Sequence, residues 1–168
     1  MRAKPIRTVL AGAMAGALGT IGMDLLLYSR YRRGGGDDDF ADWELSSGTH
    51  DWEHAATPGL VGRRIAKDVL HRELPDSAAA ATTNVVHWAT GVQWGAAYGI
   101  VAANRRGIRS GVALGLVACS TSYVVLPVLG LSKPIWGYDA KALGQDYSAH
   151  VLFGALTGAA FWALSRRQ

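Results

Sequence analysis

The chain has 168 residues, 49% of them hydrophobic and only 18% charged, with 21 glycines and a positive mean hydropathy. Soluble domains carry about 25% charged residues, so an ordinary water-soluble globule is excluded, and the glycine excess suits membrane helices rather than disorder. The net charge of +4 does not point to nucleic acid, because the basic residues stand in short segments flanking apolar runs.

Residues 1–7 are basic at Arg2, Lys4 and Arg7, and a first span is expected over 6–28, where Asp24 is the only charge beyond Arg7. At about 1.5 Å per residue this stretch crosses a hydrocarbon core of roughly 30 Å. A basic start before an apolar run also suits a signal peptide. The small-x-small site Ala11-Gly-Ala13 falls too early for one, and the run continues through Leu25, Leu26 and Leu27, so a retained span is expected.

Residues 29–83 form the one long polar segment. Arg30, Arg32 and Arg33 lead into Gly34-Gly-Gly-Asp37-Asp-Asp39, a solvated connector without the alternating acids of a calcium loop. Two Asp-Trp-Glu triplets, at 42–44 and 51–53, suit an interfacial loop with the indoles at headgroup level. His50-Asp-Trp-Glu53-His54 matches the H-x-x-E-H pattern of inverzincin peptidases, but that pattern needs a helix and a larger fold. Thr57-Pro58 is a helix start. A surface helix is predicted over 58–74, with Val61, Ile65 and Val69 as its apolar face and Pro75 ending it.

Further spans are predicted over about 84–103, 110–130 and 147–164, joined by a basic connector at 104–109 and a short loop at 131–146. Cys119, the single cysteine, sits in an apolar run and reads as a packing residue. Four spans place the N-tail, the connector and the C-tail on one side. That side carries Arg2, Lys4, Arg7, Arg105, Arg106, Arg109, Arg166 and Arg167, without an acid. The positive-inside bias puts both termini in the cytoplasm and the 29–83 loop outside, against the dissent of Arg30, Arg32 and Arg33.

All four spans carry glycines at four-residue steps: Gly12 and Gly16; Gly91, Gly95 and Gly99; Gly111 and Gly115; Gly154 and Gly158. Small residues let helix backbones approach closely, which is how helices associate in lipid. His87-x-x-x-Gly91-x-x-x-Gly95-Ala-Ala-Tyr98 is echoed 63 residues later by His150-x-x-x-Gly154-x-x-x-Gly158-Ala-Ala-Phe161, suggesting two related helical hairpins. The fold class expected is therefore an all-α, four-span transmembrane bundle with one long extracytoplasmic loop.

Asp24, His87, Asp146 and His150 fall near the outer ends of their spans, and Ser120, Thr121, Ser122 and Tyr123 lie somewhat deeper. Asp146 and His150, four apart, share a helix face. Ionisable groups inside a membrane helix find partners or face a cavity. The cluster fits a structural hydrogen-bond network, a proton or small-solute pathway, a metal site, or a b-type haem held by His87 and His150. No cofactor is required by the sequence. No nucleotide-binding loop or nucleophile triad is present, so a non-enzymatic membrane protein is expected, with the lipid bilayer and either a second copy or another membrane protein as partners.

One family resemblance is carried by His87 with Gly91 and Tyr98-Gly99, by Pro127-Val-Leu-Gly-Leu-Ser-Lys-Pro134, and by Asp146-x-x-x-His150. From His87 through Trp162 the chain resembles the YagU-type family of bacterial inner-membrane proteins. The resemblance covers about half the chain, leaves the 29–83 loop without a counterpart, and implies a multi-span inner-membrane protein of undefined activity.

Overall fold

The computed structural model of the chain describes residues 5–102 and 107–166. Arg2, Lys4, Arg105, Arg106 and Arg167, which carry much of the charge asymmetry, lie outside the described residues. The helices are α1 (Pro5–Arg33), α2 (Phe40–Glu44), α3 (Thr57–Asp68), α4 (Ala79–Val101), α5 (Ile108–Val128) and α6 (Ala140–Ser165). Short 3₁₀ turns occupy Asp76–Ala78 and Ile135–Gly137, and no strand occurs among the described residues. Three helices are long and apolar enough to cross a membrane: Ile6–Arg33, Ile108–Val128 and Ala140–Ser165. The 23-residue α4 is long enough as well, but Asn84, His87 and Gln93 make it less apolar.

Two compact units divide the chain, one made of Met1–Leu27 with Thr90–Gln168 and the other of Tyr28–Ala89. In the first unit the helices meet over glycine. A Cβ on Gly12 would sit 2.9 Å from the Cα of Gly99, and one on Gly16 would sit 2.9 Å from the Cα of Gly95. The α5–α6 contact repeats this, with Gly111 facing Gly154 and Gly158, and Gly115 facing the backbone of His150 and Val151. In both pairs a four-residue step up one helix meets a four-residue step down the other, so each pair is antiparallel. Larger side chains would collide with backbone, which cannot rotate away.

Buried threonines fill the next positions. Thr20 lies against Gly91 and Thr157 against Gly19. Each returns its hydroxyl to a carbonyl one turn back, Thr20 Oγ1 to Gly16 O at 3.0 Å and Thr157 Oγ1 to Phe153 O at 2.8 Å. The hydroxyl is thus satisfied within its own helix and can be buried against a neighbour. At one end Ala11, Ala15, Tyr98, Ala102 and Phe161 form the core, with the Tyr98 and Phe161 rings edge to face at 5.4 Å.

Many large aliphatic residues point outward. Along α1, Ile6, Leu10, Met14, Leu18, Ile21 and Leu25 form an exposed stripe, Ile6 being 73% exposed. On α5, Leu116, Val117, Val124, Val125 and Val128 are exposed likewise. Water would reverse this distribution; a hydrocarbon solvent does not penalise it.

The Tyr28–Ala89 unit has a buried indole and an aromatic cluster. Trp52 is 5% exposed, donates from Nε1 to Leu74 O at 3.2 Å, and lies under the Arg63 guanidinium at 5.2 Å. Tyr28, Tyr31, Phe40 and Trp43 cluster ring on ring, and the Tyr31 hydroxyl bonds the Asp38 carboxylate. Trp88 donates to Glu44 Oε1 at 2.9 Å. The expectation of indoles given over to headgroups is therefore corrected for Trp52, whose ring is covered by protein.

Helix α3 also departs from expectation. It ends at Asp68 rather than 74, and its buried face is Gly59, Gly62 and Ala66, seated on Thr82, Thr83 and Val86 of α4. Ile65 and Val69, on the apolar face expected of a surface helix, are exposed, Val69 at 67%. Close backbone approach over glycine won over side-chain hydrophobicity.

Candidate functional site

The polar end of α5 and α6 draws several of the predicted site residues together. It is built by the glycine contact beneath it. Because Gly115 lacks a side chain, the backbone of α6 at His150 and Val151 lies directly on α5. One turn further out, Ser120 Oγ and Tyr147 Oη are 3.0 Å apart, and Tyr123 donates its hydroxyl to Asp146 Oδ2 at 2.7 Å. The rings of Tyr123 and Tyr147 stack at 6.0 Å, and Tyr138 meets Tyr123 edge to face at 5.4 Å.

This end forms because α6 starts early. Asp139 caps it, its carboxylate accepting from the Ala142 amide at 2.7 Å, so residues 140–146, expected in a loop, are helical. Asp146 and Tyr147 thereby stand on a rigid helix opposite Ser120 and Tyr123.

His150 and Asp146 do interact, but through backbone rather than through the shared-face carboxylate pairing expected. His150 Nδ1 donates to the Asp146 carbonyl at 3.0 Å, while the carboxylate is taken by Tyr123. A donating Nδ1 places the neutral imidazole's lone pair on Nε2. Both His150 and Tyr123 are half-buried, and Asp146 is exposed.

Asp24 is 2% exposed on α1, and His87 is half-buried on α4 within the Tyr28–Ala89 unit. No group of three or more His, Cys, Asp or Glu residues able to hold a metal occurs among the described residues. Cys119 is buried on α5. Of the participants in the α5–α6 network, Tyr138 and Tyr147 were not singled out by sequence. The signal for Tyr147 was its place directly after Asp146, once Asp139 is recognised as a cap.

The H-x-x-E-H pattern does not sit on a helix: residues 51–54 form a bend. There His54 Nδ1 lies 2.8 Å from Asp51 Oδ1. The His54 backbone N–H, and after it the imidazole, hold the Asp51 carboxyl below its ordinary pKa.

No family model, curated protein or solved structure matches this chain.

Proposed function

We propose that this is a non-enzymatic, four-span protein of a bacterial cytoplasmic membrane, with α1, α4, α5 and α6 as the spans and both termini in the cytoplasm. The resemblance to the YagU-type family is part of the same proposal and adds no reaction to it. The observation that carries the reading is the packing of the helical unit, with glycine, alanine, threonine and three aromatics (Tyr98, Phe153, Phe161) inside and Ile, Leu, Met and Val along its exposed faces. In α4 the carboxamides and imidazole lower hydropathy without breaking the helix, and its glycine face pairs with α1 as α6 pairs with α5. This supports a fourth span and two related hairpins.

Within that bundle the Tyr123–Asp146 and Ser120–Tyr147 bonds latch the outer ends of α5 and α6. A reporter-tag topology map tests the span count: four spans place residues 29–83 and 131–139 outside and residue 107 inside. A map with residue 107 outside would sink the reading.

A second reading is favoured by the His150 tautomer. An imidazole tied at Nδ1 to a carbonyl presents Nε2 to a proton, a metal or a haem iron, the arrangement that ligating histidines adopt. Asp24, His87, Asp146 and His150 would then serve as the titrating or ligating set. Ultraviolet–visible spectra and elemental analysis of the pure protein separate the cases. A Soret band or stoichiometric metal supports the cofactor reading. Their absence, with a pH-dependent flux in proteoliposomes that His150→Ala abolishes, supports the proton pathway. A colourless, metal-free, flux-inactive protein supports the latch alone.

A further inference from the structure

Helix α3 carries three kinds of side chain on three sides. Gly59, Gly62 and Ala66 are buried, and the two glycines seat on Thr82, Thr83 and Val86 of α4. By helical geometry Ile65 falls about 80° to one side of the Gly62–Ala66 seam, with Val61 beyond it. Arg63 falls about 80° to the other side, with Lys67 beyond it. Ile65 is exposed, as are Val69 and Leu70 in the turn that follows, and so are Arg63, Arg64 and Lys67. A helix in water would seat its aliphatic residues against its neighbour. Here glycine takes the neighbour, and the aliphatic edge is left for a second surface.

The seat fixes the level of that edge. Thr82 to Val86 is one turn of α4. In the four-span reading, on which this inference rests, the apolar part of α4 begins at residue 84. Two residues further in than Val86, Trp88 donates to Glu44 Oε1 at 2.9 Å, an indole and a carboxylate paired as in a headgroup layer. That layer is roughly 5–7 Å deep, about four helical residues. A helix seated on residues 82–86 therefore lies at its junction with the hydrocarbon.

We propose that α3 is an interfacial helix whose Ile65–Val69–Leu70 edge enters the outer leaflet beside α4, while Arg63 and Lys67 face the lipid phosphates. Phospholipid is the occupant that both level and charge select. Acyl chains begin at this level and receive the aliphatic edge. The cations Arg63, Arg64, Lys67 and Arg72 stand against the acids Asp68 and Glu73, and the surplus is complementary to anionic headgroups. Arg64 pairs with Asp68 and Lys67 with Glu73, so both acids are neutralised locally. Glycine on the seam and aliphatics on the edge let one short helix grip a span and the leaflet together.

The test uses the full chain in proteoliposomes containing phosphatidylglycerol, in a Cys119→Ala background, with single nitroxides at residues 65, 67 and 69. The ratio of collisions with oxygen to collisions with a water-soluble nickel chelate should be severalfold higher at 65 and at 69 than at 67. Two edge positions are read separately, so the result does not depend on one label being tolerated. Equal ratios at all three residues would put the edge in water and overturn the proposal. Labels at 65 and 69 that are immobilised and shielded from both reagents would mean that protein, a second copy or another chain, covers the edge, which overturns it as well.

A nitroxide at residue 93 distinguishes the failure of this proposal from that of the reading beneath it. If the chelate reaches residue 93, α4 is not a span. If residue 93 meets oxygen alone while the chelate reaches 65 and 69 as freely as 67, α4 is a span and the interfacial helix alone is wrong.

Discussion

In the Tyr28–Ala89 unit Trp52 is buried beneath Arg63, while α3 turns Gly59, Gly62 and Ala66 inward and leaves Ile65 exposed. In the helical unit the glycines and threonines are inside, and Leu10, Met14 and Leu18 are outside. Three helices are long and apolar enough to cross a membrane, and there the solvent for the large residues is hydrocarbon. Water drives large apolar groups inward; hydrocarbon leaves only close packing and hydrogen bonds to hold helices together.

The largest expected effect lies on the water side. Trp52→Ala should destabilise the Tyr28–Ala89 unit by about 3–5 kcal/mol, the usual range for a buried tryptophan. Limited proteolysis should open residues 45–75 while α5 and α6 stay protected; simultaneous loss of both would mean that the units do not have separate cores. Next comes Gly158→Leu, which sets a side chain against the Gly111 backbone and should cost about 1–3 kcal/mol or more. Thermal unfolding in detergent reads it, and an unchanged midpoint would remove the glycine contact from the account. Tyr123→Phe, which unpairs Asp146 at the half-exposed latch, should cost about 1 kcal/mol by the same measurement. Leu18→Ala should cost less than about 0.5 kcal/mol, because its side chain touches solvent rather than core. A loss of several kcal/mol there would place Leu18 in a buried contact.

The smallest effect is electrostatic. The Asp51 carboxyl is depressed by His54, so its contribution is present above the ordinary carboxylate pKa and lost as pH falls through the depressed value. An NMR titration should give Asp51 a midpoint below that of a free aspartate, and His54→Ala should raise it. A midpoint indifferent to His54→Ala would dismiss the contact.

The comparison also explains what could be read in advance. Glycines at four-residue steps predict helix contacts because their meaning is steric and local, and Gly12, Gly16, Gly95, Gly111 and Gly154 all lie at backbone contacts. On α3, hydrophobicity picks out Val61, Ile65 and Val69, whereas Gly59 and Gly62 set the approach to α4, a contact that hydrophobicity does not signal. The α6 start was misplaced by seven residues because polar residues 140–146 read as loop, although the Asp139 cap was visible. Asp146 and His150 were legible as neighbours from spacing alone. That Tyr123 takes the carboxylate and leaves His150 the carbonyl depends on the register of α5 against α6, which spacing within one helix does not encode.

In the membrane reading the exposed aliphatic face of α1 meets lipid. Nitroxides placed singly at Leu10, Met14 and Leu18 in proteoliposomes, in a Cys119→Ala background, test it most directly through collision with oxygen against a water-soluble nickel chelate. Oxygen should reach all three labels and the chelate none, while a label at Glu53 shows the reverse. Chelate access along the 10–14–18 stripe equal to that at Glu53 would contradict it.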